Sequence, residues 1–169
     1  MVIKADVIDR ALFSIKSKNF PIYYLSPRGV KLNHEISKSI SKLNGITLVC
    51  GKYEGVDERV IKHYNMIEIS VGDYILSGGD LAAMVLIDSV VRHLPNVLGS
   101  PLTLDDETFI NNLLEYPLYT KPRKWKNYKV PEVLLSGNHK KIKNWKIKQS
   151  EAITMQRRPD LWKKYLKLK

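Results

Sequence analysis

The chain has a single cysteine, Cys50, in 169 residues, which excludes a disulfide framework or a thiolate metal set and suits a reducing compartment such as the cytoplasm. No apolar run approaches about 18 residues and no basic, then apolar leader opens the chain, so neither a membrane span nor a secretory signal is expected. The four histidines, His34, His63, His93 and His139, show no ligand spacing, and no metal site is expected from them. No glycine is followed by Lys and then Ser or Thr at Walker spacing, and no G-x-G-x-x-G opens a helix, which disfavours cofactors held by a phosphate tail. Acids are scarce in one region only. Residues 1–116 carry 12 Lys and Arg against 14 Asp and Glu, whereas residues 117–169 carry 16 against 3. The formal net charge of +11 therefore belongs to the last third, which fits a polyanion held by one end of the protein and worked on by the other. Nucleic acid is the first candidate and a membrane surface a distant last.

What is present is 44% hydrophobic, enough for a globular catalytic domain with a small appendage. Two glycine-bearing segments stand out: Cys50-Gly51-Lys52-Tyr53-Glu54-Gly55 and Ser70-Val71-Gly72-Asp73-Tyr74-Ile75-Leu76-Ser77-Gly78-Gly79. Each breaks off a short apolar run. Strands that end in glycine and small polar residues expose backbone N–H and C=O groups at one sheet edge, where a flat heterocycle can lie close, with Tyr24, Tyr53, Tyr74 and Leu76 near it. Taken singly, each glycine is explained as well by a tight turn.

Ile8, Ala11, Leu12 and Ile15 fall at helical spacing, which predicts an amphipathic helix ending near Asn19. Residues 22–25 read as a buried strand stopped by a Ser26-Pro27-Arg28-Gly29 turn. Asn33 can cap a helix carrying Ile36, Ile40 and Leu43 up to Gly45. Residues 46–50 and 66–70 read as strands around a helix over 57–64, with Tyr74 to Leu76 a candidate further strand. Asp80 is expected to cap the most apolar helix, over residues 81–94. Alternation of strand and helix predicts an α/β fold with a parallel sheet covered by helices over residues 1–99. Residues 100–116 read as an acidic linker and 117–169 as a basic helical domain, with helices near 139–155 and 159–167. Trp125, Trp145 and Trp162 are expected to be core anchors of that domain rather than base-stacking platforms.

The motifs Tyr24-Leu25-Ser26-Pro27, Cys50-Gly51-Lys52-Tyr53-Glu54-Gly55-Val56-Asp57-Glu58-Arg59 and Ser70-Val71-Gly72-Asp73-Tyr74-Ile75-Leu76-Ser77-Gly78-Gly79 closely resemble the bacterial tRNA (guanine-N1)-methyltransferases of the SPOUT class. So do Leu114-Glu115-Tyr116-Pro117, Val130-Pro131-Glu132-Val133-Leu134-Leu135-Ser136-Gly137-Asn138-His139 and Arg157-Arg158-Pro159, so the resemblance covers essentially the whole chain. It implies a deep trefoil knot, which ordinary topology rules would not suggest, and S-adenosyl-L-methionine as cofactor. By match, the cofactor contacts are Tyr24, Leu25, Ser26 and Pro27; Gly51, Tyr53 and Glu54; and Ser70, Val71, Gly72, Asp73, Tyr74, Ile75 and Leu76 with Gly78 and Gly79.

The resemblance further implies methyl transfer to N1 of the guanosine 3′-adjacent to the anticodon, position 37 of tRNA. Such chemistry needs the N1 proton removed and charge on O6 stabilised. By alignment on Phe109 the general base is Glu107, where relatives usually have Asp, with Asp106 in reserve and Asp105 within a small register error. Arg92 ends an apolar helix, where a cation suits the helix terminus; by match it supports the guanine. Arg123, Ser136, His139, Lys143 and Arg157 are the implied tRNA contacts, and a homodimer is implied, the acidic linker of one subunit reaching the cofactor of the other. Whether Mg2+ assists stays open. Lys52 in place of Arg and Leu118 in place of His depart mildly from the family pattern. The family's N-terminal strand and glycine-rich segment are expected to be lacking here. Two alternatives accordingly stand beside the enzyme reading: a non-catalytic remnant that binds cofactor or tRNA, and a SPOUT methyltransferase acting on rRNA.

Overall fold

Three short apolar runs become the strands of one parallel sheet. The computed structural model describes residues 1–15, 19–97 and 108–169 and sets β1 (Ile22–Lys31) between β2 (Thr47–Cys50) and β3 (Ile67–Ser70). Tyr23 lies opposite Leu48 and Tyr24 opposite Val49. Because successive strand residues point to opposite faces, the sheet feeds separate cores. Tyr24 and Val49 pack with Val56, Val60, Ile61 and Met66 on one face, where α1 (Ala5–Ser14) meets α3 (Glu58–His63). Tyr23 and Ile69 pack with Ile40, Leu86 and Val90, and Leu25 with Ala82 and Ala83. These last groups bring in α2 (His34–Ile40) and α4 (Gly79–Val91). Leu86 is fully buried, which is worth about 1.5–3 kcal/mol.

Local capping chemistry sets some of the boundaries. The Asn33 side chain accepts from the Ile36 amide at 2.9 Å and the Asp57 carboxylate from the Arg59 amide at 2.9 Å, so both side chains satisfy free first-turn donors. Elsewhere the structure departs from the sequence reading. In α1 the packed face is Ala5, Ile8 and Leu12; the helix stops at Ser14, and Ile15 is extended. The second helix ends at Ile40, short of Leu43. Asp80 does not cap α4: Gly78 is its N-cap and Asp80 sits within the first turn. Tyr74 to Leu76 form no strand.

The largest difference is at Ser26-Pro27-Arg28-Gly29, which does not end its strand. Both Leu25 and Val30 pair with Ile69, so residues 26–29 leave the ladder and β1 resumes beyond them. Gly29 makes the return possible. A Cβ at that position would run into the Glu68 carbonyl carbon and the Ile69 amide, so only a hydrogen there lets β1 lie against β3.

The chain divides into two units, Met1–Gly99 and Ser100–Lys169. The second holds a hairpin of β4 (Lys124–Trp125) and β5 (Tyr128–Lys129), then α5 (Glu132–Leu135), α6 (His139–Arg157) and α7 (Pro159–Leu166). Its buried centre includes Leu161 and Thr154. The Thr154 hydroxyl donates to the Ser150 carbonyl at 2.6 Å and accepts from the Leu114 amide at 2.8 Å, fixing to α6 a residue that the sequence reading assigns to the linker. The Tyr165 hydroxyl donates to Glu151 at 2.6 Å, joining α7 to α6. Trp145 and Trp162 are partly buried. Trp125 is not a core anchor, being 59% exposed.

Replacing Gly29 by Ala should force β1 away from β3. A destabilisation of about 1–3 kcal/mol is expected, read as a lower urea midpoint with an unchanged slope.

Candidate functional site

A cavity of about 770 Å3 opens where the sheet delivers its loops. β2 ends at Cys50, β3 ends at Ser70 and residues 26–29 leave β1, so three backbone excursions converge at the carboxyl side of parallel strands, where α/β sheets bind ligands. Among the described residues, every sequence-predicted cofactor contact lines this cavity except Asp73. Asp73 turns to Lys31, 2.8 Å from its Nζ.

The loops are held from within. Gly79 donates to the Gly51 carbonyl at 2.8 Å, and a Cβ on Gly79 would stand 2.8 Å from the Cys50 Cα. Nothing larger than glycine lets α4 start against the end of β2. The Ser70 hydroxyl accepts from the Gly72 amide at 3.2 Å, and Ser26 accepts from the Arg28 amide at 3.2 Å, so these two buried serines shape their own loops. Tyr53 holds a φ of 59°, a left-handed conformation uncommon for a bulky residue and a feature of ligand-binding turns. The adjoining segment is braced by the N-terminus: Ile3 donates to the Gly55 carbonyl at 2.9 Å, and the Asp57 amide to Ile3 at 3.1 Å.

The ionisable groups sort themselves by partner. Asp57 has a pKa lowered to about 2, first by the Arg59 side chain and then by the Arg59 amide. Glu58 pairs with Arg28 at 3.0 Å, and Arg28 also reaches Glu68 at 3.2 Å. Among the described residues Glu54 makes no ion pair and lies exposed on the cavity wall, a place suited to a cationic ligand. Burial pushes the Tyr24 phenol and the Cys50 thiol up, which favours the protonated form of each.

Glycine backbone, flat phenol rings and the apolar walls of Leu25, Ile69, Leu76 and Ala82 make a cleft of the size and mixed polarity that a nucleoside takes. Arg28 and Ala82 line it without having been singled out from the sequence. Arg28 lies inside the Ser-Pro-Arg-Gly motif, which local turn chemistry had already explained.

The other candidates lie elsewhere. Arg92 is the exposed C-cap of α4, whose opposite end lines the cavity; thirteen helical residues separate them by about 20 Å. Glu107, Asp106 and Asp105 lie outside the described residues. In the second unit Ser136 and His139 flank the α5–α6 junction. The Ser136 hydroxyl accepts from the Asn138 amide at 3.3 Å, and Asn138 caps α6 by accepting from the Lys141 amide at 3.0 Å. Lys143 is one turn along the same face as His139. Arg157 ends the 19-residue helix about 27 Å from His139, and Arg123 stands at the foot of the hairpin. All five are exposed.

Fold and cleft together define an α/β domain with a ligand-sized cleft at its strand ends, followed in the chain by a cationic helical unit. A family model described as tRNA (Guanine-1)-methyltransferase TrmD matches residues 1–164, and the chain belongs to that family. Proteins named tRNA (guanine-N(1)-)-methyltransferase are 54% identical in Pelagibacter ubique, 52% in Ehrlichia canis and 49% in Rhodospirillum rubrum. These matches cover 99%, 95% and 98% of this chain and 73%, 70% and 70% of the respective relatives.

The Asp57 cap supplies a prediction about pH. A depressed carboxylate stabilises the fold above its ordinary value of 3.8 and loses that contribution as pH falls through about 2. Carboxyl-carbon NMR should find Asp57 titrating near 2, and Arg59→Ala should return the midpoint toward the ordinary value.

Proposed function

We propose that this chain is an S-adenosyl-L-methionine-dependent tRNA (guanine-N1)-methyltransferase of the SPOUT class, acting in the cytoplasm on the guanosine 3′-adjacent to the anticodon. The carrying observation is that the family match over residues 1–164 coincides with one cavity built from the three loops that the resemblance assigns to the cofactor. The knotted crossing of those loops belongs to the same proposal. So does the division into a catalytic domain over 1–99, a linker over 100–116 and a tRNA-binding domain over 117–169.

The cavity fits the cofactor. Gly51, Gly78 and Gly79 bring backbone to its wall, the apolar side chains and Tyr24 suit a purine, and Glu54 is left to meet a positive charge. When bound, S-adenosyl-L-methionine supplies an activated methyl whose leaving sulfur becomes neutral and needs no acid. The chain's own groups then serve the guanine. The linker carboxylate of Glu107 takes the N1 proton, with Asp106 in reserve, and the Arg92 guanidinium donates to O6 as negative charge builds there.

A homodimer reconciles those roles with the geometry. Arg92 stands at the end of α4 remote from its own chain's cavity. The same helix exposes Leu81 (54%), Met84 (64%), Val85 (48%) and Ile87 (46%), an apolar face suited to a second copy. Arg123, Ser136, His139, Lys143 and Arg157 offer the tRNA cations and hydrogen-bonding groups on an exposed surface.

Radiolabelled cofactor should label N1 of guanosine in tRNA bearing that nucleotide and should leave rRNA unlabelled. Binding of cofactor and tRNA without transfer would overturn the enzyme reading. Glu107→Ala should lower kcat about 100- to 10,000-fold, and Gly79→Ala should abolish cofactor binding. Mixing these two inactive variants and letting subunits exchange should restore roughly a quarter of wild-type activity, since half the dimers then carry one intact site. No recovery on exchange would refute the shared site.

A further inference from the structure

We propose that the hairpin of β4 and β5 is a stacking platform for an unpaired nucleotide of the tRNA, an inference that rests on the tRNA reading above. Trp125 and Tyr128 are 59% and 73% exposed. They lie directly opposite each other in the ladder, so they share one face, with rings nearly parallel at 22° and centroids 6.4 Å apart. A lone exposed aromatic needs no explanation, but a paired, nearly parallel set held at the tip of a two-residue ladder and left mostly exposed adds little burial to the fold.

The surrounding charge says what the rings meet. Lys121, Arg123, Lys124, Lys126 and Lys129 make five cations in nine residues, with no acid among them. Among the described residues none of the five is ion-paired. Lys124 is directly opposite Lys129, an arrangement of like charges that weakens a ladder. Lys126 adopts a φ of 54° in the turn, and its Nζ stands 4.8 Å from the centre of the Trp125 ring, which places a cation on the aromatic face. Local stability does not favour this set; a polyanion offsets its repulsion.

A flat aromatic surface under a cation, in a field of unpaired lysines, has the chemistry that receives a base on the rings and its phosphates on the lysines. A base inside a duplex has no free face, so the occupant is an unpaired nucleotide. An anionic membrane would also answer the charge, but two rings ringed by lysines offer little apolar area to insert.

The test uses the full chain, a tRNA with guanosine 3′ to the anticodon, and two double variants. Trp125→Ala with Tyr128→Ala should raise the tRNA Kd and the KM for tRNA about tenfold, with kcat and the cofactor Kd held. Trp125→Phe with Tyr128→Phe should restore both to within about twofold, because stacking needs a ring and not its polar group. If the alanine pair binds and methylates tRNA like the wild type, or the phenylalanine pair fails to rescue, the platform is refuted while the methyltransferase reading stands. A wild-type chain that neither binds nor methylates tRNA sinks both. Ring-dependent binding to phosphatidylglycerol vesicles that tRNA does not compete away overturns the platform in favour of a membrane surface.

Discussion

The contact on which the cavity depends is between the first turn of α4 and the last residues of β2. Gly79 donates to the Gly51 carbonyl at 2.8 Å, with no room for a Cβ beside Cys50. This approach sets the height of α4 over the sheet. Ala82 and Ala83, the small residues one turn later, then reach Leu25, and Leu86 and Val90 continue the burial against Tyr23 and Ile69. The loop from Val71 to Gly78 must close the distance between β3 and that helix start, so it runs along the cavity and brings Tyr74 and Leu76 with it. One glycine contact thereby fixes a helix, a loop and a wall of the site.

The second constraint is the interruption of β1. A strand that leaves the sheet at Leu25 and rejoins at Val30, both opposite Ile69, must place the intervening residues above the sheet's edge. Ser26, Pro27 and Arg28 accordingly line the cavity, and Arg28 bridges Glu58 at the start of α3 and Glu68 in β3. Arg28 and Glu58 are exposed and Glu68 is partly buried, so the pairs contribute only modestly to stability. Their effect is to hold Glu58 and leave Glu54 as the cavity acid without an ion-pair partner among the described residues.

What was legible in the sequence follows the range of the interaction involved. Asn33 caps its helix as expected, and Asp57 caps the next in the same way, because a cap is settled within three residues. Asp80 looks equally local, yet α4 starts ahead of it, where Gly79 fits against the distant Cys50, and Gly78 becomes the N-cap. Ser-Pro-Arg-Gly reads as a turn on its own chemistry, and only the closeness of Gly29 to Glu68 shows that the strand continues. Tyr74 to Leu76 has the composition of a strand and no strand to pair with. The loops that line the cavity were legible because their glycines and the family motifs coincide; Arg28 was hidden inside a motif already explained, and Trp125 because a tryptophan's exposure depends on what the rest of the unit fails to bring against it.

Charge and apolar surface divide the work between the elements. The cavity needs little net charge, since its proposed ligand is cationic at one point, and it is lined by backbone, rings, apolar side chains and one acid, Glu54, that has no ion-pair partner among the described residues. In the function we propose, the polyanion is met by the cations of residues 117–169, where counterion release supplies affinity without base readout. Between these demands stands α4, apolar on both sides: Ala82, Ala83, Leu86 and Val90 inward, Leu81, Met84, Val85 and Ile87 outward. Asp80 and Asp88 are the charges of this otherwise largely apolar helix, and the sheet covers only one of its sides. In the dimer we propose, the second copy covers the other. The same burial carries Arg92, at the C-terminus of that helix, into the interface, so the surface that holds the subunits together also delivers a guanidinium that a lone chain leaves about 20 Å from the cavity wall at Gly79.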